Sequence, residues 1–257
     1  MNYQIKNELV TLEASTKAAE ITSFKKNCDE YEYMWNGNKE YWAGRNPILF
    51  PQVSSTPTKT NVIYGETYPM GNHGFARNSE FELVEQKDSS LTLLLKENEE
   101  TLKQYPFNFR LYVTYELEGT TVKIIYKIVN DSDKVMPFGF GQHPAFNCPL
   151  GFKDTKIVMD DKDELVISDE LFNTHPTVVY NPSSYKKAVL YANDHELEVG
   201  FEGYPILAIW SPHAPFVCIE PWYTSNPDPE LAFEDRPGSF KLNPGEEQLI
   251  SYTITLK

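Results

Sequence analysis

Two consecutive segments with alternating apolar residues constrain the fold of this chain more than any other feature of its sequence. The apolar positions are Leu111, Val113, Tyr115 and Leu117 in residues 110–118, and Val122, Ile124, Tyr126 and Ile128 in residues 121–129. A period of two residues places these side chains on one face of a β-strand. The connection Glu118-Gly119-Thr120 is typical of a tight hairpin. We therefore predict two antiparallel strands that share one buried face.

The rest of the chain has the same character. Shorter apolar runs lie at 8–12, 91–96, 155–159, 197–201, 206–210, 216–220 and 248–256, and turn dipeptides lie at 36–37, 181–182, 202–203, 226–227 and 237–238. No long segment keeps a helical period, so we expect at most a short helix or two in the loops. The 18 prolines are dispersed and mark no linker. The pattern predicts an all-β fold, a large antiparallel β-sandwich, formed by one domain that spans residues 1–257.

Composition narrows the class of protein. The chain has 257 residues, is 40% hydrophobic and contains 16 Tyr, 15 Phe and 4 Trp, enough for a large core with aromatic side chains left over for a binding cleft. A net charge of −14 argues against binding to nucleic acid, which requires a basic surface. No apolar run is long enough to cross a membrane, and the first residues lack the apolar core of a signal peptide. We expect a cytoplasmic protein without a membrane partner.

The three cysteines do not indicate a disulfide framework or a zinc site. Cys28, Cys148 and Cys218 are widely spaced and odd in number. Cys148 and Cys218 lie close to two unusual motifs, which leaves a nucleophilic thiol as an alternative. A small, reduced and buried thiol is the more common situation, and it is the one that we predict.

Four segments combine polar or charged residues with Gly, Pro and aromatic residues: 42–51 (WAGRNPILFP), 69–77 (PMGNHGFAR), 139–147 (GFGQHPAFN) and 218–222 (CIEPW). Glycine lets a backbone approach a ligand closely, and proline stiffens a loop. His143 and Glu220 in the last two segments are one imidazole and one carboxylate, whose pKa values can be tuned toward neutrality for general acid–base catalysis. They are the candidate catalytic residues.

Each candidate also has a structural interpretation. His73 and His143 are also consistent with histidines of a turn or of the core. Glu220 ends the apolar run 216–219, so its carboxylate is expected to be partly buried and to need a partner such as an arginine. Arg45 and Arg77 suit that role, or a role as surface charges.

Taken together, the four segments resemble the aldose 1-epimerase (galactose mutarotase-like) family, and in particular a bacterial branch that includes the X protein of lactose operons. The resemblance rests on 18–24 (AAEITSF), Arg45, 73–77 (HGFAR), 143–147 (HPAFN) and 220–222 (EPW), in the family's order across nearly the whole chain. It implies a super-sandwich of antiparallel sheets with a carbohydrate cleft. It also implies interconversion of α and β anomers without a metal or another cofactor.

The resemblance further implies a role for each residue. Glu220 would take the proton of the C1 hydroxyl, and protonated His143 would deliver one to the ring oxygen. Arg45, His73 and Arg77 would contact substrate oxygens, and Trp222 would stack on the sugar. These roles predict that His143 and Glu220 face each other across one cleft, separated by a gap the size of a sugar.

Several points stay open at this level. The family's further acidic residue, which holds sugar hydroxyls, has no clear counterpart; the candidates are Asp160, Asp161, Asp163 and Asp194. A hexose-6-phosphate 1-epimerase and a carbohydrate-binding or sensing protein without catalysis are alternatives, although only four arginines are available to bind a phosphate. A glycosidase would need two carboxylates, and the five histidines lack the spacing of a hydrolytic metal site. The sequence allows a monomer or a homodimer.

Overall fold

Antiparallel strands form most of the regular structure in residues 1–225 and 227–257, which are the residues that the computed structural model describes. In chain order the strands are β1 (Asn2–Lys6), β2 (Val10–Ser15), β3 (Ile21–Lys26), β4 (Ile48–Leu49), β5 (Thr60–Ile63), β6 (Glu66–Pro69), β7 (Glu82–Gln86), β8 (Ser90–Lys96), β9 (Phe109–Glu118), β10 (Thr121–Asn130), β11 (Met136–Phe138), β12 (Gly141–Gln142), β13 (Ala145–Asn147), β14 (Lys156–Met159), β15 (Asp163–Val166), β16 (Thr177–Tyr180), β17 (Lys187–Ala192), β18 (His195–Gly200), β19 (Ile206–Trp210), β20 (Phe216–Trp222), β21 (Phe240–Leu242) and β22 (Glu247–Leu256).

Helices are short and lie between strands. They are α1 (Glu99–Leu102), α2 (Asp169–Thr174) and two 3-10 turns, Ala76–Asn78 and Phe233–Asp235. The prediction of an all-β chain with short helices in its loops is therefore confirmed. The turn predicted at 226–227 includes Asn226, which lies outside the described residues. Within the described ranges, no helix has the length and apolar character that a membrane crossing requires.

The hairpin predicted from the alternating segments is formed by β9 and β10. Glu118 lies opposite Thr121, so the connection consists of Gly119 and Thr120 alone. Gly119 has a φ of 58°, in the left-handed region that glycine enters without strain. The apolar face is buried along both strands, except that Leu117 at the end of the hairpin is only half-buried. The alternation of apolar residues in these two segments therefore predicted the hairpin and its buried face.

Two sheets form the sandwich. One has nine strands in the order β15-β14-β17-β18-β22-β10-β9-β8-β7. The other has six, in the order β16-β19-β20-β12-β4 with β13 also paired to β20. A three-stranded sheet β1-β2-β3 and the pairs β5-β6 and β11-β21 complete the set, and every pair of strands named here is antiparallel.

The main core lies between the two large sheets. It joins apolar side chains of β9 and β10 to those of β19 and β20, and it extends from Ile5 to Leu256. Burying each large side chain of this kind contributes about 1.5–3 kcal/mol. Inside it the Tyr126 hydroxyl donates to Gln142 Oε1 at 2.7 Å, whereas the Tyr204 hydroxyl and Gln142 Nε2 have no hydrogen-bond partner among the described residues. One contiguous core agrees with the single domain predicted for residues 1–257, which stays a prediction.

Alternation along β20 determines which side chains reach the second face of the six-stranded sheet. Val217 and Ile219 point into the main core. Cys218 and Trp222 belong to separate apolar clusters on the opposite side. Glu220 shares their side because it lies two residues from each. The candidate site therefore lies on the outer face of this sheet.

Candidate active site

A cleft of about 600 Å³ lies on this outer face. Its walls come from seven separate segments of the chain. The lining residues are Trp42, Ser54, Asn72, His73, Arg77, His143, Thr177, Val179, Asn181, Trp210, Glu220, Trp222 and Ser225. Of the six residues predicted to form the site, five line this cleft: His73, Arg77, His143, Glu220 and Trp222. Arg45 does not.

Glu220 is the only carboxylate among these lining residues. Its side chain is 1% exposed, and its Oε2 atom has no hydrogen-bond partner among the described residues. Burial raises the pKa of the Glu220 carboxyl well above its usual value, because the charged form loses its hydration. Trp222 and Arg77 act in the opposite direction, since an indole N–H and a positive charge favour the carboxylate. Among the described residues no second carboxylate lines this cleft with Glu220, so the pair of carboxylates that a glycosidase needs is not found there.

His143 lies between β12 and β13, the two short strands that pair with β20. Gly141 lies opposite Trp222 and Ala145 opposite Cys218, so the connecting residues lie beside Glu220. The Nε2 atom of His143 is 3.3 Å from Oε2 of Glu220. Burial lowers the pKa of His143 well below its usual value, with the neighbouring His73 and Arg77 side chains as smaller causes. Both shifts favour the neutral forms, so burial disfavours a separated carboxylate and imidazolium in this pair.

The expected gap between His143 and Glu220 is not present: their side chains are in direct contact. That expectation was wrong, because the pairing of β12 and β13 with β20 brings the His143 imidazole against the Glu220 carboxyl, with 3.3 Å between Nε2 and Oε2.

His73 is held in one protonation state. Its Nδ1 atom accepts a hydrogen bond of 2.9 Å from the backbone N–H of Ser54. Burial lowers the pKa of His73 to about 3, and the nearby Arg77 charge contributes to this shift. The imidazole is therefore neutral, and its only proton is on Nε2. The ring lies 5.7 Å from that of His143, nearly perpendicular to it.

The two arginines named from the sequence have different surroundings. Arg77 lines the cleft, and no carboxylate in the described residues lies within 4.0 Å of its guanidinium. Arg45 Nη1 is 4.0 Å from Oε2 of Glu20, and its guanidinium lies over the backbone of Gly37. Glu20 Oε1 also accepts from the backbone N–H groups of Arg45 and Asn46 at 2.7 and 3.1 Å. Arg45 is thus tied to Glu20, and Arg77 is the guanidinium available to a ligand.

Aromatic rings form the wall around His143. Trp42 lies with its ring centroid 4.8 Å from that of His143, and Trp210 lies 5.4 Å away at 80°. Trp42 belongs to a segment that sequence analysis singled out, but neither tryptophan was named as a site residue. Trp222 lines the cleft as predicted and is 6% exposed. The presence of four tryptophans in the sequence does not by itself show which of them line the cleft.

Several other lining residues, most of them polar, were also missed. Thr177 and Val179 alternate along the edge strand β16, and Asn181 follows it. Asn72 adjoins His73, and Ser54 and Ser225 lie in loops. The four candidate aspartates, Asp160, Asp161, Asp163 and Asp194, are not among the lining residues; three of them make contacts elsewhere, to the Lys186 backbone, Lys187 and Tyr185. The polar groups that line this cleft beside Glu220 are neutral or basic.

Cysteines contribute no activated nucleophile. Cys28 is exposed, whereas Cys148 and Cys218 are buried. Burial raises the pKa of the Cys148 thiol to about 12 and that of Cys218 well above its usual value. Such thiols stay protonated and unreactive. Cys218 nevertheless lies close to the pair: its Sγ and one donor atom each of His143 and Glu220 are all within 4.8 Å of one another.

Residues 1–204 match the aldose 1-epimerase family model, and the chain therefore belongs to the aldose 1-epimerase family. The matched segment contains His143 and ends before β20, the strand that carries Glu220. The family resemblance found in the four motifs is thus confirmed.

Individual relatives agree with this assignment. The chain is 29% identical to the plasmid-encoded LacX protein of Lactococcus lactis subsp. lactis, over 100% of this chain and 99% of LacX. A galactose mutarotase related enzyme from Lactobacillus acidophilus has 30% identity and a TM-score of 0.93, covering 100% of this chain and 97% of that one. A galactose mutarotase-like protein from Lactobacillus casei has 28% identity and a TM-score of 0.92, with full coverage of both chains. The galactose mutarotase-like fold is confirmed.

Proposed function

We propose that this protein is an aldose 1-epimerase that interconverts the α and β anomers of a hexose by general acid–base catalysis. The observation that carries the proposal is the contact of 3.3 Å between His143 Nε2 and Glu220 Oε2 in the wall of a sugar-sized cleft. The pair holds one proton, which is what a reaction that moves one proton between neighbouring oxygens requires. A cytoplasmic location, inferred from the sequence, is part of the proposal.

Protons balance through the cycle. Transfer of the shared proton from Glu220 to His143 forms a carboxylate and an imidazolium. The carboxylate then takes the proton of the O1 hydroxyl while the imidazolium protonates the ring oxygen, and the bond from C1 to the ring oxygen breaks. Glu220 is again protonated, and His143 is again neutral. Rotation about C1–C2 exposes the other face of the aldehyde, and the reverse transfers close the ring as the other anomer.

Four other lining residues support these steps. Arg77 favours the carboxylate form of Glu220 through its charge, which lowers the free energy needed to form the reactive ion pair. His73 offers a neutral N–H donor that stays protonated on Nε2, so it stabilises negative charge on a substrate oxygen without competing for the proton. Trp42 and Trp222 offer apolar faces to the carbon side of a sugar ring.

A hexose 6-phosphate is the second candidate substrate, because Arg77 faces the cleft without an ion-pair partner among the described residues. A guanidinium recognises phosphate by two parallel hydrogen bonds. Kinetics of Arg77→Gln separate the two substrates: KM for a hexose 6-phosphate would rise far more than KM for the free hexose if Arg77 binds the phosphate. Arg110→Gln is a matched control, since Arg110 pairs with Asp131 at the surface.

Polarimetry tests the proposed activity. Freshly dissolved α-glucose, α-galactose and their 6-phosphates are followed to equilibrium with wild type, with Glu220→Gln and with buffer alone. We expect a faster approach with wild type and loss of at least about 100-fold in Glu220→Gln, as one positioned general catalyst typically supplies 10²–10⁴. Equal rates for wild type and buffer with all four sugars would refute the enzyme.

A carbohydrate-binding protein without catalysis is then the remaining interpretation. It predicts that sugars raise the unfolding temperature of wild type and of Glu220→Gln alike, without any change in the rate of mutarotation.

A further inference from the structure

Three different metal-binding atoms come together behind the wall of the cleft. Cys218 and Glu220 lie two residues apart on β20 and share a face, and His143 is brought beside them by the pairing of β12 and β13 with this strand. A ligand atom of each residue lies within 4.8 Å of those of the other two. All three side chains are buried.

None of the three donors is well satisfied by the protein. Glu220 Oε2 is buried with no hydrogen bond to the described residues, and its one close polar contact is His143 Nε2 at 3.3 Å. Cys218 Sγ makes no hydrogen bond within the described residues, although Cys148 does. Buried polar atoms normally have partners. A cluster of unpartnered N, O and S atoms therefore needs a reason beyond packing.

The spacing suits a tetrahedral cation. Bond lengths to zinc near 2.0–2.3 Å place neighbouring ligand atoms about 3.3–3.6 Å apart. The contact between His143 and Glu220, 3.3 Å, already has this length. The remaining separations, at most 4.8 Å, require a closure of no more than about 1.5 Å at the thiol. His143 and Glu220 line the cleft, so an ion has a path inward and a fourth position open to solvent or substrate.

We propose that His143, Cys218 and Glu220 form an inhibitory site for a thiophilic divalent cation such as Zn²⁺. Cysteine, histidine and carboxylate are the ligands that zinc takes, and a set of three with one open position is common for it. On binding, the Cys218 thiol and the Glu220 carboxyl each release a proton, and the metal occupies the lone pairs of His143 and Glu220. The pair then has no proton to move and no base to receive one.

The inhibitory consequence rests on the proposed epimerase function, whereas metal binding does not. A small buried thiol in an apolar cluster is the competing interpretation of Cys218, which lies beside Trp35, Ala145 and Phe216. That interpretation predicts no thiolate coordination at all. A spectroscopic signal from a metal–sulfur bond therefore distinguishes a metal-binding Cys218 from a thiol that is merely buried.

Binding is measured first, in the Cys28→Ser protein, so that the exposed thiol does not contribute. Calorimetry with Zn²⁺, and the thiolate-to-metal absorption band on titration with Co²⁺, are expected to show one site. Its affinity should rise with pH, because the Cys218 thiol and the Glu220 carboxyl must lose protons. Adding Cys218→Ala should remove the cobalt–sulfur band and weaken Zn²⁺ binding by at least about tenfold, the smallest effect seen even for residues that only support ligands. Adding Cys148→Ala, which removes the other buried thiol, should leave the cobalt–sulfur band and the Zn²⁺ affinity unchanged.

Inhibition is measured separately, as the ratio of each variant's rate with and without Zn²⁺. We expect loss of activity in Cys28→Ser that a chelator reverses, and a tenfold or greater weakening of inhibition on adding Cys218→Ala. Absence of the cobalt–sulfur band, or an affinity that Cys218→Ala leaves unchanged, overturns the site. A protein that binds Zn²⁺ through Cys218 but never accelerates mutarotation refutes the epimerase and leaves the metal site standing.

Discussion

The Nδ1 atom of His73 accepts a hydrogen bond from the backbone N–H of Ser54 at 2.9 Å. A backbone N–H can only donate, so this contact requires an unprotonated Nδ1 and leaves the proton of the ring on Nε2. The backbone N–H of His73 donates in turn to the Ser54 carbonyl at 2.8 Å. These two hydrogen bonds between His73 and Ser54 thus hold the Nε2–H group of His73 in place as a donor in the cleft.

Replacing His73 with asparagine tests this arrangement through the pH dependence of stability. Asn Oδ1 takes the place of Nδ1, and asparagine tolerates the φ of 64° at this position. The pKa of His73 falls from 6.5 in the unfolded chain to about 3 in the folded protein. The neutral imidazole therefore contributes fully to the free energy of unfolding above pH 6.5, and this contribution is lost as the pH falls toward 3. The free energy of unfolding of wild type should therefore decline relative to His73→Asn by about 1 kcal/mol per pH unit in this range. Urea unfolding at pH 7, 6, 5 and 4 measures it, and parallel curves would contradict the assignment.

The shared proton of His143 and Glu220 predicts a bell-shaped dependence of kcat/KM on pH. Activity requires one proton on the pair. On the acidic side, activity is lost when His143 gains a proton while Glu220 keeps its own; because the pKa of His143 is lowered, this happens only below pH 6.5. On the basic side, activity is lost when Glu220 gives up its proton; because the pKa of Glu220 is raised, this happens only above pH 4.5. Both limbs belong to the coupled pair rather than to one residue. Polarimetric rates from pH 4 to pH 10 provide the profile, and an acidic limb centred above pH 6.5 would conflict with a buried neutral imidazole.

Glycines on either side of His73 provide a matched pair of substitutions. A Cβ atom on Gly74, whose φ is 71°, would lie 2.2 Å from the carbonyl oxygen of Phe50, whereas a Cβ on Gly71 would meet no atom within 4 Å. Gly74→Ala should lower the free energy of unfolding by about 2–4 kcal/mol, and Gly71→Ala should change it by less than about 0.5 kcal/mol. Denaturant unfolding compares them. Equal effects would mean that Gly74 does not hold this loop against Phe50.

The indole of Trp42 is expected to bind substrate rather than move protons. It packs on His143 and Phe216, with ring centroids 4.8 and 5.7 Å away, and presents a partly exposed face to the cleft. Trp42→Ala should raise KM by about tenfold, the equivalent of about 1.4 kcal/mol of lost contact, with a smaller change in kcat. Tyr41→Phe, at the exposed neighbouring position, should alter neither. A loss confined to kcat would assign Trp42 to positioning His143 instead.

Part of the candidate cleft was accessible from local sequence. Glu220 at the end of an apolar run was expected to be partly buried, and its side chain is 1% exposed. His73, Arg77, His143 and Trp222 were found because polar residues among Gly, Pro and aromatic residues are unusual for strands and their turns. Thr177, Val179 and Trp210 were missed because an alternating strand presents two faces, and its sequence does not say which face a cleft will occupy.

Arg45 illustrates a second limit. Its guanidinium is tied to Glu20, which lies 25 residues earlier and also accepts from the backbone N–H of Asn46. Two arginines in similar sequence surroundings therefore differ in availability, and only the partners brought by folding distinguish Arg77 from Arg45.

By itself the sequence determined the all-β character of the chain and the hairpin of β9 and β10 with its buried face, since these follow from a period of two residues. Only the tertiary structure decided that His143 touches Glu220, because residues 77 positions apart meet through the pairing of Gly141 with Trp222 and Ala145 with Cys218. The protonation of the pair was likewise decided by the fold. Burial favours the neutral forms of both groups, and burial is a property of the packed sheets rather than of either segment alone.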